Sequence, residues 1–396
     1  MSDPSARALV TPESDQIRLR VEGLDFGGWT GITIAPSLES AARAFSFEAF
    51  PRWPKEPNPA RIRPGQFCQV FVGDDKVLSG FVEHWGSSGS KDSRTLSIKG
   101  KSITVDVIES HARDLMRFKD RDLFQIAEAL CAVHGIGVRL DPALRTDPLV
   151  TRKFPNFKVS TGETVYAAIE RAARSRAVLV TDDEDGVVVL TRAAVKRTHT
   201  ALVMGENIEE WDVSFDAAQL FTEYTCKGQR VPVDGDAGDS AIRPAGTFAE
   251  PLLDFTGRKR IMVITPEGGA TIERCTQRAA WEAAARFGQA FKLSYTVPGW
   301  RQGNGDLWRH NELVPLIDTV NAIEGEFLIS EIQYSIGDDG SRTVFSLAPP
   351  EAFEIMAPQK RKTGKGKSGG WSEIAGGAVI PGSGFEPVTQ SLIGGP

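Results

Sequence analysis

The chain has little of what most enzymes and most secreted proteins rely on. Its 396 residues include four cysteines and five histidines. Cys68, Cys131, Cys226 and Cys275 are far apart, so neither a disulfide framework nor a short-spaced zinc site is expected. They read instead as small core or strand residues. His84, His111, His134, His199 and His310 share no close spacing, and none sits in an H-E-x-x-H or nucleophile context. No apolar run is long enough to span a bilayer. The N-terminus MSDPSARALVTPESD has no basic start followed by an apolar stretch, so no signal peptide is expected and the protein should be made and assembled in the cytoplasm. Basic charge is not in excess either. The formal net charge of −6 argues against a general nucleic-acid binder.

The motifs of common chemistries are missing as well. Gly303 and Gly305 in RQGNG are loop glycines, but no phosphate-loop Lys-Ser follows. DDEDG (182–186) lacks the spaced ligands of a calcium loop and reads as a hairpin turn. Glu209-Glu210 and other carboxylates are not placed in pairs across a cleft. No catalytic, metal or cofactor-binding residue is assigned, and no cofactor is expected.

What the chain does have is a repeated strand pattern. In the late block, Leu328, Ser330, Ile332, Tyr334 and Ile336 point one way along an extended run, with Ile329, Glu331, Gln333 and Ser335 between them. GDDG (337–340) makes a hairpin turn, SRTVFSLAP is the return strand, and Pro349-Pro350 ends it. The early block reads alike: a strand Phe67–Val72, a GDD turn (73–75), a strand Leu78–Trp85, a Gly/Ser-rich turn and a return strand SRTLSIKG. Laying Arg63 on Arg309 and Ser93 on Ser341 needs a length adjustment of only about two residues, within the slack of loops, and the recurring GDD turns and SRT strands read as an internal duplication.

Between the blocks the period changes. DRDLFQIAEALCAVHGIGVRL reads as a helix then a strand, with Asp122 and Gln125 at capping-box spacing and Gly135 as the stop. Ser160 and Glu163 form a second capping box, with Val165, Ile169 and Ala172 facing inward. Thr271–Ala290 is a helix whose stripe is Ile272, Cys275, Ala279, Ala283 and Phe287. SLESAARAFSFEAF begins as a possible short helix and ends as a strand at Phe45 and Phe47. PRWPKEPNPARIRPG has five prolines and is a long loop, with Trp53 and Pro54 as candidate interface residues. After Pro358 a Gly/Lys-rich tail carries isolated Trp371, Ile380 and Phe385, which suit a partner's surface.

The fold class expected is α+β, mainly β: two related β-barrel domains, a small inserted α/β domain and a C-terminal tail. The boundaries are 1–105 for the first barrel, 106–200 for the insert, 201–355 for the second barrel and 356–396 for the tail.

In the late block the elements PGW, G-x-LW, N-x-x-V, I-x-G-x-x-LI and PP-x-AF occur in order. In the early block Trp29, Ile34, Ser37 to Glu39, Phe45, Phe47, Gly73, Asp74, Leu78 and Gly80 occur in order. Together, over roughly residues 17 to 355, they resemble the Mu-like phage tail baseplate hub family, which is related to the hub portion of type VI secretion spike proteins. The resemblance implies tail-tube-like barrels and a structural, non-enzymatic homotrimer in the virion tail baseplate. Its implied partners are a central spike protein, a tail tube or tube-initiator protein, baseplate wedge proteins, and viral DNA that passes through without specific binding. Two rival readings remain: a tail-associated cell-wall hydrolase, and a peptidoglycan-binding module centred on residues 160–195, where GETVYAAI resembles LysM modules. A generic αβ unit explains that last segment better.

Overall fold

The computed structural model describes residues 15–38, 40–49, 62–91, 94–112, 116–193, 196–227, 245–249, 258–265, 272–337 and 340–353. The five candidate interface residues Trp53, Pro54, Trp371, Ile380 and Phe385 lie outside them, as does most of the proline-rich loop.

The N-terminal part is a run of antiparallel strands: β1 (Ile17–Val21), β2 (Leu24–Phe26), β3 (Gly31–Ala35), β4 (Ala44–Ala49), β5 (Phe67–Val72), β6 (Asp75–Gly89) and β7 (Arg94–Ser102). Period-2 alternation sets their faces. In β1, Ile17, Leu19 and Val21 are buried while Arg18 and Arg20 turn outward and lie over the Phe71 ring. The described residues of SLESAARA form no helix. Their backbone is used elsewhere, with the Leu38 N–H donating to Ser330 O, and regular structure resumes only at β4.

The insert follows: α1 (Val105–Glu109), β8 (Arg117–Phe118), α2 (Leu123–Cys131), β9 (Val138–Leu140), α3 (Pro148–Thr151), β10 (Phe157–Lys158), α4 (Val165–Arg174), β11 (Leu179–Asp182) and β12 (Val188–Thr191). The capping box of α2 forms as its sequence requires: the Gln125 N–H donates to Asp122 Oδ1 at 2.9 Å and the Asp122 N–H to Gln125 Oε1 at 3.3 Å. The second predicted box is displaced. Thr164 caps α4, accepting from the Ala167 N–H at 3.1 Å, while Ser160 and Glu163 close the turn before it and Glu163 turns to Arg171. β9 joins β12 in parallel, and β12 joins β11 as a hairpin through DDEDG. Leu123, Ile126, Ile169, Val180 and Leu190 belong to the core of this unit.

The chain then returns to the main sheet with β13 (Leu202–Val203) and β14 (Glu210–Phe215), and leaves it for a small lobe. That lobe has β15 (Glu223–Lys227), β16 (Ala245–Ala249) and β17 (Ile261–Ile264), against which α5 (Ile272–Ala290) packs. Cys275, Ala279 and Ala283 lie on the buried side of α5 against Tyr224 and Cys226. Small side chains let the helix approach the sheet closely. Ile272, the first residue of the expected stripe, is exposed. The sheet resumes with β18 (Phe291–Pro298), β19 (Leu313–Asp318), β20 (Ile323–Gly337) and β21 (Gly340–Ala348).

The pairings run β14-β18-β21-β20-β3-β4-β7-β6-β5-β1-β2, with β19 beside β20 and β13 beside β19. Read by halves, β3-β4-β7-β6-β5-β1 and β14-β18-β21-β20-β19-β13 follow one order. β6 and β20 are each 15 residues long, and β7 and β21 are each 9. The last pairs differ, since β1 meets β5 antiparallel and β13 meets β19 parallel. The described pairings do not close either half into a barrel. The halves are open, mainly antiparallel sheets over one shared apolar core that takes Leu19, Phe47 and Ile98 from one and Tyr295, Ile332 and Phe345 from the other.

The repeat is real in topology but not in the letters that first suggest it. Each long strand has a bulge, at Glu83 in β6 and at Ser330 in β20. Aligning the bulges puts Leu96 on Thr343 and Ile98 on Phe345, all four buried. The SRT match puts Leu96 on half-buried Val344 instead, one residue out, and a one-residue slip turns every side chain to the wrong face. The GDD turns are not equivalent either. One joins β5 to β6 and the other joins β20 to β21. The halves have exchanged loop lengths: two residues join β5 to β6 against four from β19 to β20, and four join β6 to β7 against two from β20 to β21. The Ser330 bulge also lets both Ile329 and Ile332 reach the core, which simple alternation forbids.

Candidate assembly interface

Three parts of the fold meet at a buried polar joint. Arg43, between β3 and β4, is 6% exposed, and Asp182, at the end of β11, is 2% exposed. Arg43 Nε donates to Asp182 Oδ1 at 3.1 Å, its Nη2 to Asp182 O at 2.9 Å and its Nη1 to Val77 O at 3.0 Å. The other carboxylate oxygen accepts from Ser102 Oγ at 2.6 Å and from the Arg43 N–H at 3.2 Å. A buried pair is sustainable only when its remaining hydrogen-bonding positions are filled in this way. Glu184 adds Arg309 at 3.5 Å, and Arg139 pairs with Asp183.

His310 arrives from the second half and comes within 3.5 Å of Thr181 Oγ1. Burial, then the Arg43 and Arg309 cations, push its imidazole down to about 3, so it is neutral at ordinary pH. A cavity of about 470 Å³ opens beside these groups, lined by both halves and the insert. A second tie joins the halves directly: Arg301, in the loop after β18, reaches Asp15 at 3.0 Å and Asp75 at 2.8 Å. Asp318 ends β19. Burial alone raises its pKa, but the Asn321 side chain and N–H, the Tyr295 hydroxyl at 2.7 Å and the Val320 N–H together hold it below the usual carboxylate range.

No local signal in the sequence marks these groups as a joint. DDEDG is a hairpin turn, as expected, with Asp183 Oδ1 accepting from the N–H groups of Asp185 and Val187. That its first residue is the anchor of the joint has no local signal, because its partner lies 139 positions away. The segment proposed to resemble a wall-binding module is occupied by folding: α4 buries Val165, Ala168, Ile169, Ala172 and Ala173. The four cysteines are buried thiols outside any disulfide. Burial pushes the Cys68 and Cys131 thiols up to about 12. His84 lies mid-strand but is exposed.

The outer surfaces are of another kind. β14 is an end strand in which no residue is fully buried. Its Trp211 and Phe215 are exposed beside half-buried Val213, which touches the main core. The far half of β6, from Glu83 to Gly89, is likewise exposed or half-buried and extends beyond β5. Backbone groups along such edges are templates for further pairing.

Comparison with known proteins agrees along the chain. The family described as Mu phage baseplate assembly protein GpP-like, N-terminal, matches residues 16–102. Baseplate hub protein gp44-like, second domain, matches 104–192, and Mu phage baseplate assembly protein GpP, fourth domain, matches 271–356. The chain is 33% identical over 361 residues to the baseplate hub protein gp44 of Escherichia phage Mu, covering 89% of this chain and 93% of that one. The crystal structure of the 43 kDa tail protein of prophage MuSo2 from Shewanella oneidensis has a TM-score of 0.75 at 31% identity, covering 86% of this chain and 100% of that one. The tail protein of Neisseria meningitidis MC58 shares the fold, with a TM-score of 0.73 at 20% identity over 86% and 98% of the two chains. The order of strands, the insert after β7 and the matches over all three segments lead to one family: the chain belongs to the Mu-type phage tail baseplate hub proteins.

Proposed function

We propose that the protein is the structural hub of a phage-type tail baseplate, a homotrimeric ring that adapts a sixfold tail tube to a threefold central spike. The observation that carries this reading is the repeated strand order. Two similar half-sheets in each chain give six similar faces in three chains. The two-unit organisation (1–105 and 201–355 around the insert 106–200, with the tail 356–396) is part of the same reading. The role is mechanical rather than catalytic. The joint at Arg43 and Asp182 fixes the insert to the first half with its carboxylate fully engaged, and Arg309 and His310 bring the second half to it. The net negative charge suits a channel through which DNA slides without sticking. The tail tube or its initiator, the spike and baseplate wedge proteins are the partners, in the virion baseplate after assembly in the host cytoplasm. Trp53, Pro54, Trp371, Ile380 and Phe385 are the proposed partner-seeking side chains.

Light scattering on the full chain, alone and with its spike, tests the reading. A trimer is the expected mass, reached at high concentration or on adding spike. A strict monomer that ignores both tube and spike rejects it.

A further inference from the structure

Among the described residues the two halves pair within one chain at a single place, and the equivalent place is unfilled. β3 lies antiparallel along the far half of β20, with Ile34 beside Tyr334, Thr33 beside Ser335 and Ile32 beside Ile336. The contact continues through the Ile332 N–H donating to Pro36 O and an isolated bridge between Ser37 and Glu331. The ladders carry each partner into the other half. Counted through β4 and β18, Ile32 corresponds to Trp211, Thr33 to Asp212 and Ile34 to Val213. Counted from the bulges, Tyr334 corresponds to Ser87, Ser335 to Ser88 and Ile336 to Gly89.

Neither corresponding edge has a partner among the described residues. β14 pairs only with β18, and Ser87–Gly89 pair only with β7. Burial marks the same difference. Ile32 is 4% exposed beneath its junction, while its counterpart Trp211 is 46% exposed. β14 has neither lysine nor proline, the residues that commonly block an edge from pairing.

We propose that β14 of one copy pairs antiparallel with Ser87–Gly89 in β6 of the next copy, in the register of the internal β3·β20 junction. The inference rests on the trimeric hub reading and names the surface that closes the ring. A second copy is the fitting occupant because the chain already shows this junction with its own halves. The two unfilled edges are different surfaces, so the contact is head-to-tail, and such contacts form rings when the rotation closes. Three internal and three external junctions of one geometry complete a six-part ring. The counterpart of the Ser37·Glu331 bridge sets Asp216 beside His84. His84 in turn lies beside Lys99, so the Asp216 carboxylate meets a row that ends in a cation, while Asp212 faces the uncharged Ser88.

Cysteine pairing in the full chain tests the register. Asp212 and Ser88 are exposed and would stand directly opposite, with Cβ atoms about 4.5–5.5 Å apart, near disulfide reach. The native cysteines are buried and stay silent. Under mild oxidation in trimer-forming conditions, D212C/S88C is expected to give covalent dimers and trimers and nothing larger. Mixing D212C with S88C is expected to give dimers only. D212C/S87C, whose side chains point to opposite faces, is expected to stay largely uncrosslinked. A trimer by light scattering with no D212C/S88C crosslink, or with D212C crosslinking to itself, overturns the proposed junction and leaves the hub reading standing. A monomer under every condition, spike included, overturns both.

Discussion

Asp182 ties the insert to the first half through Arg43 and Ser102, at a joint that Arg309 and His310 of the second half also reach. Removing one member of a buried, hydrogen-bonded ion pair costs about 3–5 kcal/mol, because the other charge is left in the protein without a counterion. Asp182→Ala is therefore expected to lower the thermal midpoint clearly, by calorimetry, while the exposed Asp74→Ala changes it little. His310 gives the joint a pH dependence. Its folded pKa lies below its unfolded value of about 6.5, so between there and about 3 the unfolded chain takes up a proton that the fold refuses. Stability contributed by neutral His310 is present above about pH 6.5 and is lost as pH falls, by at most about 1.4 kcal/mol per pH unit. His310→Gln is expected to flatten the fall in melting temperature between pH 7 and 5; an unchanged slope would assign the acid sensitivity to other groups. The thiols are expected to be inert: a thiol reagent should titrate none in the native protein and four after denaturation. The cysteine reading was available from spacing alone, whereas Asp182 and His310 depend on contacts more than a hundred positions long, which no local pattern encodes.

Strands and helices were legible where a single period governs them. IRLRV alternates and folds as β1; Asp122 and Gln125 stand three apart and cap α2. Asp122→Ala is expected to cost about 1 kcal/mol, typical of a lost N-cap, read as a lower urea midpoint. Bulges leave no local signal, and the register of the repeat is lost there. Nothing in FVEHW or LISEI announces that Glu83 or Ser330 drops out of the ladder, so SRT was laid on SRT one residue out of register. Close backbone approach was hidden for the same reason. A Cβ on Gly100 would sit 2.1 Å from Phe81 O and 2.5 Å from the Phe45 ring. Gly100→Ala is accordingly expected to destabilise the first half by a few kcal/mol, about the upper range for overpacking, with hydrogen exchange rising in β4, β6 and β7 before the insert.

For the whole molecule, the order of the strand blocks is readable, but the expected barrels are not what the described pairings form. Open half-sheets share one core, and a separate lobe under α5 interrupts the second half. The lobe has no boundary in the sequence: its strands and helix read like the rest of the second half, and the stretches between them give no period. Ending the chain at Ala357 is expected to leave the fold and the trimer intact and to weaken spike or tube binding; equal binding by both forms would deny the tail that role. The exchange of hairpin lengths between the halves has its consequence at this scale. In a closed trimer, the loops on either rim would alternate short, long, short, long around the axis. The long ones on one rim belong to the first half and those on the other rim to the second, so the two rims stand out of phase by a sixth of a turn. A body with six nearly equal walls would thus carry two three-toothed crowns, and a threefold object docking on one rim would find its rotational setting fixed by the teeth alone.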